Sequence, residues 1–147
     1  MKLFELFSQA ADWEWEEHGR DAGSAVFAID GGFYRTFMQV ITPKDQPNGR
    51  QDLFLDVAFE AMRFDGEGGM SMGDVDAGGY QFMVLTTVFE IVQDWFSKYG
   101  VKPVFAEATS KRARIYNSVL KRKGWRVEVV SKGSSHRIFG YPPGTGQ

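Results

Sequence analysis

The pattern of apolar and polar residues predicts strands in the first half of the chain and alternating strands and helices in the second. The runs SAVFAID and FYRTFMQVI flank Gly31-Gly32, which predicts a β-hairpin because glycine adopts positive φ freely. Residues 53–64 alternate between apolar and polar positions, which predicts a third antiparallel strand. Ahead of the hairpin, helical spacing over residues 3–10 predicts a short helix followed by irregular chain to residue 20.

The second half predicts two strand–helix units and a closing pair of strands. A glycine-rich acidic loop ends at a helix pattern, whose apolar residues are Phe82, Leu85, Val88, Phe89, Val92, Trp95, Phe96 and Tyr99. Gly100 ends this helix. PVFAEA predicts a short buried strand, after which Ser110 is the predicted N-cap of a second helix that Gly124 ends. The runs WRVEVV and HRIFGY, joined by KGSS, predict the two final strands.

Length and composition favour one domain for all of these elements. A chain of 147 residues buries roughly 68–70% of its unfolded surface around a single core, and 43% hydrophobic residues are typical of a folded protein. We therefore predict a single α+β domain over residues 1–147, with a core over about 24–141 and a loose tail over 142–147. Its sheet is expected to be mixed, mainly antiparallel and flanked by helices.

Several classes of protein are excluded by what the sequence lacks. There is no cysteine, which removes disulfides, thiolate nucleophiles and cysteine-ligated metal sites. No apolar run reaches the roughly 18–20 residues of a bilayer span, and residues 1–20 turn acidic where a signal peptide needs a small-residue cleavage site. His18 and His136 have no ligand-like spacing to acidic residues, so no metal is predicted, and the serine-hydrolase motif G-x-S-x-G is absent. We expect a cytoplasmic protein, in a host cell or inside a virion.

Charge is distributed unevenly along the chain. Residues 1–100 carry 7 Lys/Arg and 17 Asp/Glu, a net charge of −10, whereas residues 101–147 carry 10 and 2, a net charge of +8. A basic region attracts phosphate-bearing ligands, acidic partner proteins or nucleic acid. Nucleic acid is the least favoured of these, because few aromatic residues are interleaved with the basic ones. A solvated helix face, or neutralisation of one half by the other, explains the pattern equally well.

The order of elements and one helix resemble a known family. Three antiparallel strands, a glycine-opened helix, a short strand and the helix SKRARIY, followed by Gly-Trp, are similar to the core of the GNAT superfamily of acyl-CoA N-acyltransferases. The residues at the family's positions are Ser110, Arg112, Ala113, Tyr116, Gly124 and Trp125. The resemblance covers about residues 24–130 and implies a GNAT-like mixed sheet. Within the superfamily, the chain is similar to small GNAT-like proteins common in phage genomes.

The resemblance also implies a site for acetyl-CoA and an amine acceptor. Backbone amides of a turn that opens the long helix would hold the pyrophosphate, aided by the helix dipole. The cofactor-binding residues implied by position are Gly78, Gly79, Tyr80, Gln81, Ser110 and Arg112. Tyr116 would protonate the leaving thiolate. Asp56 and Glu60, on one face of their strand, are the candidate general bases for an attacking amine.

The turn itself departs from the family pattern and leaves two functions open. V-D-A-G-G-Y stands where the family has Q/R-x-x-G-x-G/A, so Val75 lacks a basic or amide side chain. Asp74 and Asp76 each add about 1 kcal/mol of repulsion toward a phosphate. The chain is therefore either a phage-encoded, acyl-CoA-dependent N-acyltransferase or an inactive GNAT-fold module that binds protein, as a virion component or a host-interacting effector. In the second case Tyr116 is a core residue.

Overall fold

The computed structural model describes residues 10–29, 32–62 and 81–144. The elements are β1 (Trp13–His18), β2 (Ala22–Ile29), β3 (Gly32–Ile41), β4 (Phe54–Met62), α1 (Gln81–Tyr99), β5 (Val104–Ala108), α2 (Ser110–Arg122), β6 (Arg126–Lys132) and β7 (Ser135–Tyr141). In these ranges the strands follow the order β1-β2-β3-β4-β5-β7-β6. The sheet is mixed, because β4 and β5 are parallel while β7 is antiparallel to both β5 and β6. The predicted α+β class and mixed sheet are confirmed.

The chain divides into two compact units, and β3 and β4 contribute to both. Unit 1 consists of Met1–Phe37 and Phe59–Tyr99, and unit 2 of Met38–Ala58 and Gly100–Gln147. The prediction of a single domain, with its core boundary and its tail, stays a prediction.

None of the helices in the described part of the chain is long and apolar enough to cross a membrane.

Unit 1 is built around α1, which follows the predicted helical period. The residues of α1 that are buried are Val84, Thr87, Val88, Ile91, Val92, Trp95 and Phe96. Polar groups also tie the helix to the N-terminal segment: the indole N–H of Trp95 donates to the carbonyl of Gly19 at 3.0 Å, and the amide of Ala11 donates to Thr87 Oγ1 at 2.9 Å. The helix stops at Gly100, whose φ of 103° is in the region that favours glycine.

Strand β1 shows that the prediction of irregular chain up to residue 20 was wrong. We expected a short helix and then irregular chain, whereas Trp13–His18 form a strand antiparallel to β2. The physical reason is the alternation of Trp13 and Trp15 with acidic residues, which gives the strand one aromatic and one charged face. The indole N–H of Trp15 donates to Asp94 on α1 at 2.8 Å. Apart from Ala10, the residues of the predicted helix lie outside the described residues.

Unit 2 has apolar contacts on both faces of its strands. On one face, the buried rings of Phe54, Phe105 and Phe139 pack together. On the other face, α2 packs through Ala113 against Ala108 and Ile138. The predicted helix end at Gly124 is confirmed, with a φ of 83°.

The predicted N-cap of α2 was wrong by one residue. Thr109 occupies the N-cap position with extended backbone angles, and Ser110 is the first helical residue. The difference follows from the first intrahelical hydrogen bond, which runs from the amide of Ala113 to the carbonyl of Thr109 at 2.8 Å. The Ser110 hydroxyl is therefore not needed for capping, and it contacts another element of unit 2.

Candidate functional site

Strands β4 and β5 separate from each other shortly after they begin. Their parallel register covers two residue pairs in the described chain, Leu55 with Val104 and Asp56 with Phe105. Strand β5 nevertheless continues to Ala108 and stays paired with β7 along its whole length. The separation therefore occurs on the β4 side of β5, and it begins at Asp56.

Asp56 lies at this point together with a second carboxylate. Because Asp56 is opposite Phe105, the side chain of Glu107, two residues further along β5, is on the same face of the strands. Burial raises the pKa of the half-buried Asp56 carboxyl, and the negative charge of Glu107 raises that pKa further. A carboxylate with a raised pKa is a stronger base. The Asp56 carboxylate is thus a stronger base than an exposed aspartate.

Tyr116 lies on α2, on the opposite face of these strands. It packs against the cluster of Ala108, Ala113 and Ile138, and residues 105 and 108 of a strand point to opposite faces. Burial raises the pKa of Tyr116 to about 12, with a smaller lowering effect from the positive charge of Arg112. The phenol therefore remains protonated at every physiological pH. Asp56 and Tyr116 flank the separated strands from their two faces.

Ser110 makes a contact that the sequence did not indicate. Its hydroxyl lies 2.8 Å from Nε2 of His136 on β7, and Nδ1 of the same ring lies 2.7 Å from the hydroxyl of Ser131 on β6. No sequence motif links these residues, since 26 positions separate Ser110 from His136. The contact follows from the pairing of β5 with β7, which places Ala108 opposite His136. This pairing is a property of the fold that the sequence pattern did not reveal.

Glu60 belongs to unit 1, where its surroundings differ from those of Asp56. One carboxylate oxygen of Glu60 is buried and has no hydrogen-bond partner among the described residues. The guanidinium of Arg35 is close enough to interact with it electrostatically, although Arg35 donates its hydrogen bonds of 2.7 and 2.9 Å to Glu16. Glu60 is thus a half-buried residue, one of whose carboxylate oxygens is buried without a hydrogen bond in the described part of the chain.

Four of the five remaining predicted site residues lie at or beyond the edge of the described chain. Gly78, Gly79 and Tyr80 are outside the described residues, and Gln81 is described only as the first residue of α1. The predicted pyrophosphate turn therefore stays a prediction. Arg112 lies half-buried on α2, near Tyr116.

The two units differ in charge as the two halves of the sequence do. Counted over the sequence, unit 1 has 5 Lys/Arg and 14 Asp/Glu, a net charge of −9. Unit 2 has 12 and 5, a net charge of +7. The unit that carries Asp56, Ser110 and Tyr116 is therefore the one that attracts anions.

Comparisons with known proteins give one likeness in structure and none in sequence. No family model matches the chain, and no curated protein sequence matches it. The crystal structure of the GNAT domain of S. lividans PAT is similar, with 15% sequence identity and a TM-score of 0.41. The likeness covers 84% of this chain, which spans 62% of the length of that one. It concerns the course of the chain and says nothing about activity.

Proposed function

We propose that this protein is a GNAT-like relative of the acyl-CoA-dependent N-acyltransferases, which transfers an acyl group from a thioester to an amine. The observation that carries the proposal is the separation of β4 from β5 at Asp56. Strands that part leave backbone donors and acceptors without their usual ladder partners, and an extended amide-bearing ligand can use them. The net charge of +7 in unit 2 suits the phosphates of an acyl-CoA.

The two faces of the separated strands provide complementary groups for this chemistry. Acyl-CoA, as the substrate, supplies the thioester. Asp56 takes the proton of the attacking amine, and its raised pKa makes it a better base than an exposed aspartate. As the new C–N bond forms, the C–S bond breaks and the sulfur leaves as a thiolate.

Tyr116 serves this reaction as a hydrogen-bond donor to the departing sulfur. A phenol with a pKa of about 12 is a weaker acid than a thiol with a pKa of about 8.5, so complete proton transfer between them is unfavourable. A hydrogen bond that strengthens as charge develops on sulfur requires no such transfer. The neutral phenol is the form that donates this bond.

A protein-binding role without catalysis is the second candidate, and exposed aromatic residues favour it. Phe33 and Phe37 on β3 are 44% and 41% exposed, and Arg35, between them along the same face, lies 5.9 Å from the ring of Phe37. Aromatic and arginine side chains are enriched where proteins bind each other. In this case the chain would act as a virion component or as an effector that contacts a host protein.

Isothermal titration calorimetry with acetyl-CoA separates the two candidates. We expect micromolar binding by the wild type, loss of binding in Gly79→Glu, which places a carboxylate in the predicted phosphate turn, and retained binding in Tyr116→Phe. Wild-type binding should be followed by acylation of a mixed panel of primary amines, slowed in Tyr116→Phe by about tenfold or more.

The control for this experiment is Ser134→Glu, which adds the same charge at an exposed position of the turn between β6 and β7 and should bind normally. Absence of heat at millimolar acetyl-CoA would contradict the transferase proposal. Equal loss of affinity in both glutamate variants would contradict the role of Gly79.

A further inference from the structure

Ser110, His136 and Ser131 form a continuous hydrogen-bonded chain on unit 2. The ring of His136 lies between the two hydroxyls, 2.8 Å from Ser110 and 2.7 Å from Ser131. A neutral imidazole donates from one nitrogen and accepts at the other. When Nδ1–H donates to Ser131, Nε2 is the acceptor for the Ser110 hydroxyl. This is the relation of nucleophile, base and orienting residue that activates a serine.

The backbone holds these three residues together. His136 is the partner of Ala108 on β5 and of Ser131 on β6, so two strand ladders fix its position. Ser110 follows the end of β5 by two residues and opens α2. The hydroxyl thus stands on a tight turn between a strand and a helix, and the side chain of Ser110 is exposed to solvent.

A donor for a developing negative charge lies next to this hydroxyl. The first hydrogen bond of α2 comes from the amide of Ala113, so the amide N–H of Ser110 itself precedes the helical ladder. An N–H on the nucleophile's own residue can donate to the oxygen of a tetrahedral intermediate. The first turn of α2 contains no acidic residue that would oppose this charge.

We propose that Ser110 is an acyl-accepting nucleophile, with His136 as its general base and Ser131 as a positioning residue, and that the site takes activated esters or thioesters. This activity goes beyond the proposed N-acyl transfer, whose candidate groups Asp56 and Tyr116 take no part in the hydrogen-bonded chain. The basic first turn of α2, with Lys111 and Arg112, favours substrates that carry a negative charge.

The reaction proceeds in two balanced halves. Ser110 Oγ forms a bond to the acyl carbon while His136 Nε2 takes the hydroxyl proton. The bond from that carbon to the leaving alkoxide or thiolate then breaks, and His136 returns the proton to the leaving group. Water then attacks the acyl-serine in the same way, with His136 taking its proton and returning it to Ser110 Oγ. This step releases a carboxylic acid and restores Ser110.

The test uses the full chain with p-nitrophenyl acetate, without any CoA compound, and with a fluorophosphonate that labels serine nucleophiles. We expect an initial burst of p-nitrophenolate, an acetyl group on the peptide that contains Ser110, and fluorophosphonate on the same residue. Ser110→Ala should abolish the labelling and slow ester cleavage by about 10²-fold or more, and His136→Gln should slow it by about 10²-fold.

Matched variants separate catalysis from structure. Ser118→Ala, at an exposed serine on the same helix, and His18→Gln, at the histidine of unit 1, should react like the wild type. Ser131→Ala should slow cleavage by about three- to tenfold without changing urea-induced unfolding, and Ser131→Thr, which keeps a hydroxyl, should restore the rate.

Labelling of lysines instead of Ser110, or an unchanged rate in Ser110→Ala, would overturn the proposal. Since the assay contains no CoA compound, its outcome does not depend on acetyl-CoA binding. A failure of the calorimetry is therefore distinguishable from a failure here.

Discussion

At the scale of single residues, the carboxyl of Asp56 on β4 lies on the same face of the strands as that of Glu107 on β5. Burial and the charge of Glu107 raise the pKa of Asp56, so the folded protein holds the proton of this carboxyl more tightly than the unfolded chain does. The stabilising contribution of Asp56 is therefore present at low pH and is lost as the pH rises through the raised pKa. A base placed in this way costs stability at neutral pH, which is common at functional sites.

The raised pKa of Asp56 gives a prediction for the variant Asp56→Asn. At pH 7 the variant should be more stable than the wild type by roughly 0.5–1 kcal/mol, because it removes a charge held near Glu107. The difference should shrink toward pH 4, because the wild-type carboxyl takes up a proton as the pH falls. Urea-induced unfolding at several pH values measures both effects.

The control for Asp56→Asn is Asp21→Asn, at an exposed position of unit 1, which should change the free energy of unfolding by less than about 0.5 kcal/mol. If Asp56→Asn instead destabilises the protein more at pH 7 than at pH 4, the carboxylate makes a favourable ionic contact and the assigned direction of its pKa is wrong.

At the scale of elements, the side chains of Leu120 on α2 and of Trp125 just after it pack against Gly140 of β7. A Cβ added to Gly140 would stand 3.3 Å from Leu120 Cδ1 and 3.3 Å from Trp125 Cε3, closer than ordinary side-chain contacts. Gly140→Ala should therefore force the side chains of Leu120 and Trp125 to shift, and we expect the free energy of unfolding to fall by about 1–3 kcal/mol. Thermal and urea-induced unfolding measure this loss.

Gly19→Ala is the matched substitution, because the added Cβ would meet its nearest neighbour, the carbonyl oxygen of Ala22, at an ordinary 3.6 Å. It should cost less than about 0.5 kcal/mol. If Gly140→Ala were equally mild, the helix could move without loss, and the position of Ser110 would be less firmly fixed than the contacts imply.

The elements also show what the sequence could and could not predict. Helix α1 was predictable because its apolar residues repeat at helical spacing over five turns, and Gly100 marks its end. Strand β1 was missed, although Trp13 and Trp15 alternate with acidic residues, because the helical spacing just before it suggested another structure. The contact of Ser110 with His136 depends on the register of β5 against β7, which no local pattern determines.

At the scale of the whole molecule, opposite net charges are carried by the two units. Unit 2, with +7, should attract acetyl-CoA by long-range electrostatics that salt screens. We expect the affinity for acetyl-CoA to fall several-fold between about 20 and 200 mM NaCl, whereas binding of uncharged pantetheine should be nearly insensitive to salt. Calorimetry at four salt concentrations measures the slope, and equal slopes for the two ligands would contradict the electrostatic contribution.

Because β3 and β4 are shared between the two units, neither unit can be completed before most of the chain has been synthesised. Because the chain passes from one unit to the other after Phe37, Ala58 and Tyr99, neither unit is a continuous stretch. During synthesis, β4 leaves the ribosome before β5 and β7 exist, so its free edge has no strand to pair with until the last third of the chain emerges. In the nascent chain, the part of this edge at Leu55 and Asp56 is therefore open to pairing with other chains until β5 has been made.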